Sequence, residues 1–119
     1  MELILKRQDL FQLQGIIPFE LLCYLEKEFM DLYEYYNANE DIENFTLENS
    51  QSMAILQSDE EVEFILQEPL EIEFVERISE GQLSLYRFGV RNAGEIQLFY
   101  CMEENFGGLI IEKLKDICS

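Results

Sequence analysis

QSMAILQSDEEVEFILQ, Gln51 to Gln67, supports two secondary structures, and the fold turns on which one forms. Ser58 with Glu61 matches a capping box, which opens a short helix over 59–67. Val62, Phe64 and Leu66 also alternate, so MAILQ-SDEE-VEFILQ makes an acceptable hairpin. Periodicity does not arbitrate over so short a stretch. The alternation tilts the balance to the hairpin, and a sheet with antiparallel neighbours follows from it.

Downstream the pattern is cleaner. LEIEFVERI (70–78), LSLYRFGVR (83–91) and EIQLFYCM (95–102) read as three strands, joined by turns at Glu80-Gly81 and Asn92-Ala93-Gly94. Strict alternation puts Leu70, Ile72 and Phe74 on one face of the first strand and Glu71, Glu73 and Val75 on the other. Ile96, Leu98, Tyr100 and Met102 share a face of the last. Gly107-Gly108 then breaks the chain, and residues 109–118 form a short closing helix.

Upstream, residues 2–6 start a strand, while 9–14 fits either a strand or a helical turn. Pro18 sits at a first helical position, and 18–36 has a helical period. Leu22, Leu25, Phe29, Leu32 and Tyr36 make one apolar stripe, with Glu20, Lys27, Asp31 and Glu34 opposite it. At about 100° per residue, Tyr24 and Tyr35 fall on the polar side, where tyrosine is a plausible contact residue. Residues 37–50 read as a solvated loop. The expected architecture is α+β in a single domain over 1–119: one main amphipathic helix (about 18–36) on an antiparallel sheet of four to five strands, with a short C-terminal helix.

Charge is the outlier. The chain has 25 acids and 8 bases, a net charge of −17. No Lys or Arg lies between Lys27 and Arg77, and residues 28–76 hold fifteen acids, so this window carries almost all the excess. A field of that sign repels nucleic acid and anionic membrane and attracts basic proteins or cations. With 48% hydrophobic and 13% aromatic residues the chain is not a disordered acidic tail.

The chemistry expected of most enzymes is missing from the pattern. Histidine is absent, which removes Ser-His-Asp and Cys-His arrangements and imidazole metal sites. No glycine motif cradles phosphate, and the paired carboxylates Glu71 and Glu73 come with no recognisable substrate platform. Residues 37–48 resemble an EF-hand calcium loop, with Asn37, Asn39, Asp41, Glu43 and Glu48 at ligand positions, but Ile42 occupies the glycine position and Asn44 an apolar one. No cofactor or metal is expected. Cys23, Cys101 and Cys118 show no metal or disulfide spacing; with no signal peptide in the N-terminal stretch, they point to a reduced, cytoplasmic protein in which Cys101 is buried.

A non-enzymatic acidic domain of this size has the properties of immunity proteins that neutralise nuclease toxins, and of phage inhibitors of nucleic-acid-binding enzymes, in which carboxylates stand in for phosphates. This is an analogy of properties. On the 70–76 strand Glu71 and Glu73 project together as an acidic ridge, and the expected contact residues are Glu60, Glu61, Glu63, Glu71 and Glu73, with Asp41 and Glu43 flanking and Tyr24 and Tyr35 as anchors. The partner is then a basic protein, with neither nucleic acid nor membrane bound directly. The alternative is an assembly subunit that self-associates, as a homodimer for example, through its Phe- and Ile-rich surfaces.

Overall fold

In a computed structural model describing residues 1–36, 39–67, 71–102 and 104–118, the chain is α+β, with four helices and a five-stranded mixed sheet. The elements run β1 (Glu2–Ile4), α1 (Arg7–Phe11), α2 (Phe19–Tyr35), a 3-10 turn, β2 (Met53–Leu56), α3 (Asp59–Gln67), β3 (Glu71–Glu80), β4 (Leu83–Asn92), β5 (Glu95–Cys101) and α4 (Glu104–Cys118). Strand order is β1-β2-β5-β4-β3.

The 51–67 stretch splits between the two readings. Met53–Leu56 is a strand, but the hairpin expected after it does not form; Asp59–Gln67 is a helix. The cap decides this. The backbone N–H of Glu61 donates to Ser58 Oγ at 3.3 Å, and Glu61 Oε2 accepts from the N–H of Gln57 at 2.8 Å. Asp59, Glu60 and Glu61 in the first turn also complement the positive end of the helix dipole.

This local choice sets the topology. Because α3 carries the chain back along the sheet, β3 starts at the same end as β2, and the β3–β4–β5 meander then lays β5 parallel to β2. The sheet is therefore mixed, where an antiparallel one was expected.

Helices cover both faces. Met53, Ile55, Leu85 and Tyr100 pack with Leu21, Leu22, Leu25 and Phe29 of α2, while Ala54, Leu56, Phe88 and Phe99 pack with Val62 of α3 and Phe106 and Ile110 of α4. Coverage on both sides explains why all four residues of β2 are buried. The 39–48 segment is less solvated than its composition suggests, since Phe45 and Leu47 both join the core under α2.

Two further expectations change. Gly107-Gly108 does not break the chain, because α4 begins at Glu104 and runs through both glycines. A Cβ on Gly107 would overlap the ring of Tyr86 on β4, so glycine is what lets this helix approach the sheet. On β3 the alternation fails at a bulge. Ile72 pairs with Val90 but Phe74 pairs with Gly89, its neighbour, so Ile72 and Phe74 point to opposite faces. Leu70 lies outside the described residues. The small partner is needed, as a Cβ on Gly89 would sit 2.5 Å from the Phe74 ring.

Candidate functional site

Among the described residues, some acidic side chains are held by a base and others are in no ion pair. Arg87 on β4 reaches up to α2, where Nη1 donates to Glu28 Oε2 at 2.8 Å, and across to β3, where Nη2 donates to Glu76. Glu28 also accepts from the Tyr100 hydroxyl at 3.2 Å, and the guanidinium lies 5.4 Å from the Phe74 ring centroid. Burial works against the charge on Arg87, but Glu28, the two phenols and Glu76 outweigh it and hold the guanidinium protonated. Arg91 donates from Nε to Glu73 at 2.5 Å and lies 3.9 Å from Glu71. Its hydrogen bond pulls the Glu73 carboxyl below the usual range. Arg7 binds Glu26 at 2.6 Å.

Tyr24 belongs to this network rather than to the surface. It is half-buried against the α2 core, because the sheet beneath widens the buried stripe of the helix. Burial first and Glu28 second push the phenols of Tyr24 and Tyr100 well above their ordinary value of 10.0, and burial alone pushes the Cys101 thiol up to about 12. A folded pKa above the unfolded one gives stability that is complete below the unfolded value and drains as pH rises toward the folded one. The midpoint of urea unfolding is therefore expected to hold from pH 7 to about 9 and then fall steadily to pH 10.5, less steeply in Tyr100→Phe. A flat profile to pH 10.5 would contradict the buried network.

The predicted contact residues are spread over several elements. Glu71 and Glu73 do sit together, but on Arg91, which neutralises much of their charge. Glu61 is occupied as a cap and by the Met1 ammonium. Glu60 and Glu63 are exposed on α3, across the sheet from α2. Asp41 and Glu43 are exposed beside α2, lining a shallow depression with Met30 and Tyr33. Asn37 and Ala38 of the calcium-like loop lie outside the described residues.

What the tertiary structure assembles instead is the C-terminal end of α2. Asp31 and Glu34 are exposed there and make no ion pair among the described residues, and the last turn carries no base. Acids at that end oppose the helix dipole, whose negative pole lies there. Tyr33, Tyr35 and Tyr36 crowd the same turn. The Tyr33 hydroxyl donates to the Glu40 carbonyl at 2.6 Å, which ties the acidic 39–43 segment to the helix. Tyr35 is 78% exposed and meets Tyr36 edge-on at 5.0 Å.

On the sheet side, Leu32, Tyr35, Tyr36, Phe74, Glu95 and Leu98 line a cleft of about 340 Å³. Glu95 Oε2 accepts from Gln51 Nε2 at 3.1 Å, and the Tyr36 phenol is raised by burial, then by Glu95 and Tyr35. Of these residues only Tyr35 is among the contact residues predicted from the sequence. The YEYY run at 33–36 was a usable signal; Glu95 and Phe74 give none without the pairing register.

Comparison with known protein families, with curated proteins and with solved structures finds no match to this chain. No helix among the described residues is long and apolar enough to cross a membrane.

Proposed function

We propose that this chain is an acidic, non-catalytic binding protein that neutralises a basic protein partner: a toxin nuclease, or another nucleic-acid-binding enzyme whose basic groove the carboxylates enter in place of phosphates. The observation that carries this reading is the end of α2. Asp31 and Glu34 lie toward the negative end of the helix dipole, make no ion pair among the described residues and have no base in the last turn, and Glu40, Asp41 and Glu43 are tied alongside. That arrangement costs the free protein stability, and a cationic partner surface relieves the cost on binding. The exposed Tyr35, beside half-buried Tyr33 and Tyr36, supplies amphipathic contact area of the kind that dominates interface energetics.

The same charge argues against a second copy as the occupant, because two such ends repel. The acids on α3 are weaker support. Three of them stand in its first turn, where the helix dipole already explains them.

The test is to immobilise the protein, capture partners from host lysate at low ionic strength and elute with salt. Captured proteins are expected to be basic, and a nuclease among them should lose activity on titration. Reversing Asp31, Glu34, Asp41 and Glu43 together to lysine should slow association by on the order of tenfold to a hundredfold at low salt, with the difference shrinking at high salt. The pair Glu71→Lys and Glu73→Lys should do less, because Arg91 already compensates those two. Capture of the same proteins by the four-fold reversal, with unchanged kinetics, would refute the assignment.

A further inference from the structure

We infer that the cleft between the end of α2 and the β4–β5 turn receives an arginine side chain of the basic partner, stacked against Tyr36 and hydrogen-bonded to Glu95. The inference rests on the reading of this protein as a binder of a basic partner and narrows it to one residue type at one place.

The walls suit a guanidinium. Tyr35, Tyr36 and Phe74 supply aromatic surface and Leu32 and Leu98 apolar surface, around a volume of about 340 Å³. A guanidinium is weakly hydrated, stacks on aromatic faces and donates coplanar hydrogen bonds to a carboxylate, whereas an ammonium is compact and holds its water. Glu95 is the carboxylate. Its Oε2 is taken by Gln51, and its Oε1 has no partner among the described residues.

The local charge also fits. Arg91 stands in the cleft wall, but Glu73 and Glu71 both hold it, so the three together carry net negative charge. The negative end of α2 adds to this, with no base in its last turn. The floor is prearranged, since the β4–β5 turn uses two residues of positive φ, Ala93 (54°) and Gly94 (84°), to bring Glu95 back beside the helix end.

The probe is the tripeptide acetyl-Gly-Arg-Gly-amide, titrated into isotopically labelled protein at low salt, beside its lysine and citrulline counterparts. Shifts in the amides of Tyr36, Gly94 and Glu95 are expected with the arginine peptide. Binding should weaken about fivefold or more with neutral citrulline, and measurably with lysine. Glu95→Gln and Tyr36→Leu should each weaken the arginine peptide by about threefold or more, with melting temperatures near that of the parent, while Glu60→Gln leaves it unchanged. Shifts centred on another patch, equal binding of citrulline, or an unaffected Glu95→Gln variant would overturn the cleft assignment. A nona-arginine peptide separates the two levels of the proposal. If it binds in a salt-dependent way while the tripeptide misses the cleft, the site falls and the wider reading stands; if neither binds, both fall.

Discussion

Replacing Arg87 by alanine is expected to lower the unfolding free energy by about 3 kcal/mol, which would be a large fraction of the total for a domain of this size. The side chain is 24% exposed and ties two carboxylates, one of which, Glu28, is only 16% exposed. Without the guanidinium, Glu28 loses its ion-pair partner beside Tyr100, and α2 loses its polar link to β4 and β3. Removing one partner of a mostly buried pair is costlier than removing both, because the survivor is left desolvated and unpaired. Arg87→Met combined with Glu28→Leu should therefore recover much of the loss. Urea unfolding of the parent, the two single variants and the double variant measures this directly. A single Arg87→Ala change within about 0.5 kcal/mol of the parent would show that water, not the guanidinium, satisfies Glu28.

The second large effect is at Gly107, and its neighbour serves as the control. Both glycines lie inside α4, where alanine is ordinarily better by about 1 kcal/mol. A Cβ at Gly108 meets open space, so Gly108→Ala should stabilise by roughly that amount. A Cβ at Gly107 overlaps the Tyr86 ring, which is nearly buried and stacked by Arg77 from 6.0 Å. Gly107→Ala should cost on the order of 1–3 kcal/mol and Gly107→Val more, because helix or ring has to move. Thermal unfolding would show two adjacent, chemically identical substitutions moving the melting temperature in opposite directions. If both raised it, the close approach of α4 to β4 would be wrong.

Much of the fold was legible because its signals are local. The α2 stripe from Leu22 to Tyr36, the three strands after residue 70 and the burial of Cys101 all follow from periodicity and turn chemistry within a few residues. The errors share one cause. At 59–67 the alternation of Val62, Phe64 and Leu66 suggested a strand, although Phe64 is 67% exposed in the helix while Val62 is buried. At Gly107-Gly108, composition suggested a break where contact with Tyr86 requires glycine in a helix. On β3, nothing local marks the bulge that separates Ile72 from Phe74.

The candidate site divides the same way. Tyr35 was legible as an exposed aromatic on a helix, and Asp41 and Glu43 as acids beside it. Tyr24 is half-buried where the helix period alone predicts exposure, because the sheet lies beneath it.

The sequence by itself determined the sign and concentration of the charge, the base-free window from Glu28 to Glu76, the amphipathic α2 and the terminal meander. These are properties of composition and of spacing within one element. Only the tertiary structure decided which acids remain free. Strand register sets Arg87 against Glu76 and Arg91 against Glu71 and Glu73, while the packing of α2 on the sheet sets Arg87 against Glu28. Ion pairs between distant segments cost nothing in local pattern and leave no trace there. The same register brings Glu95 and Phe74 to the end of α2, so the place for a basic partner emerges only when the sheet is assembled.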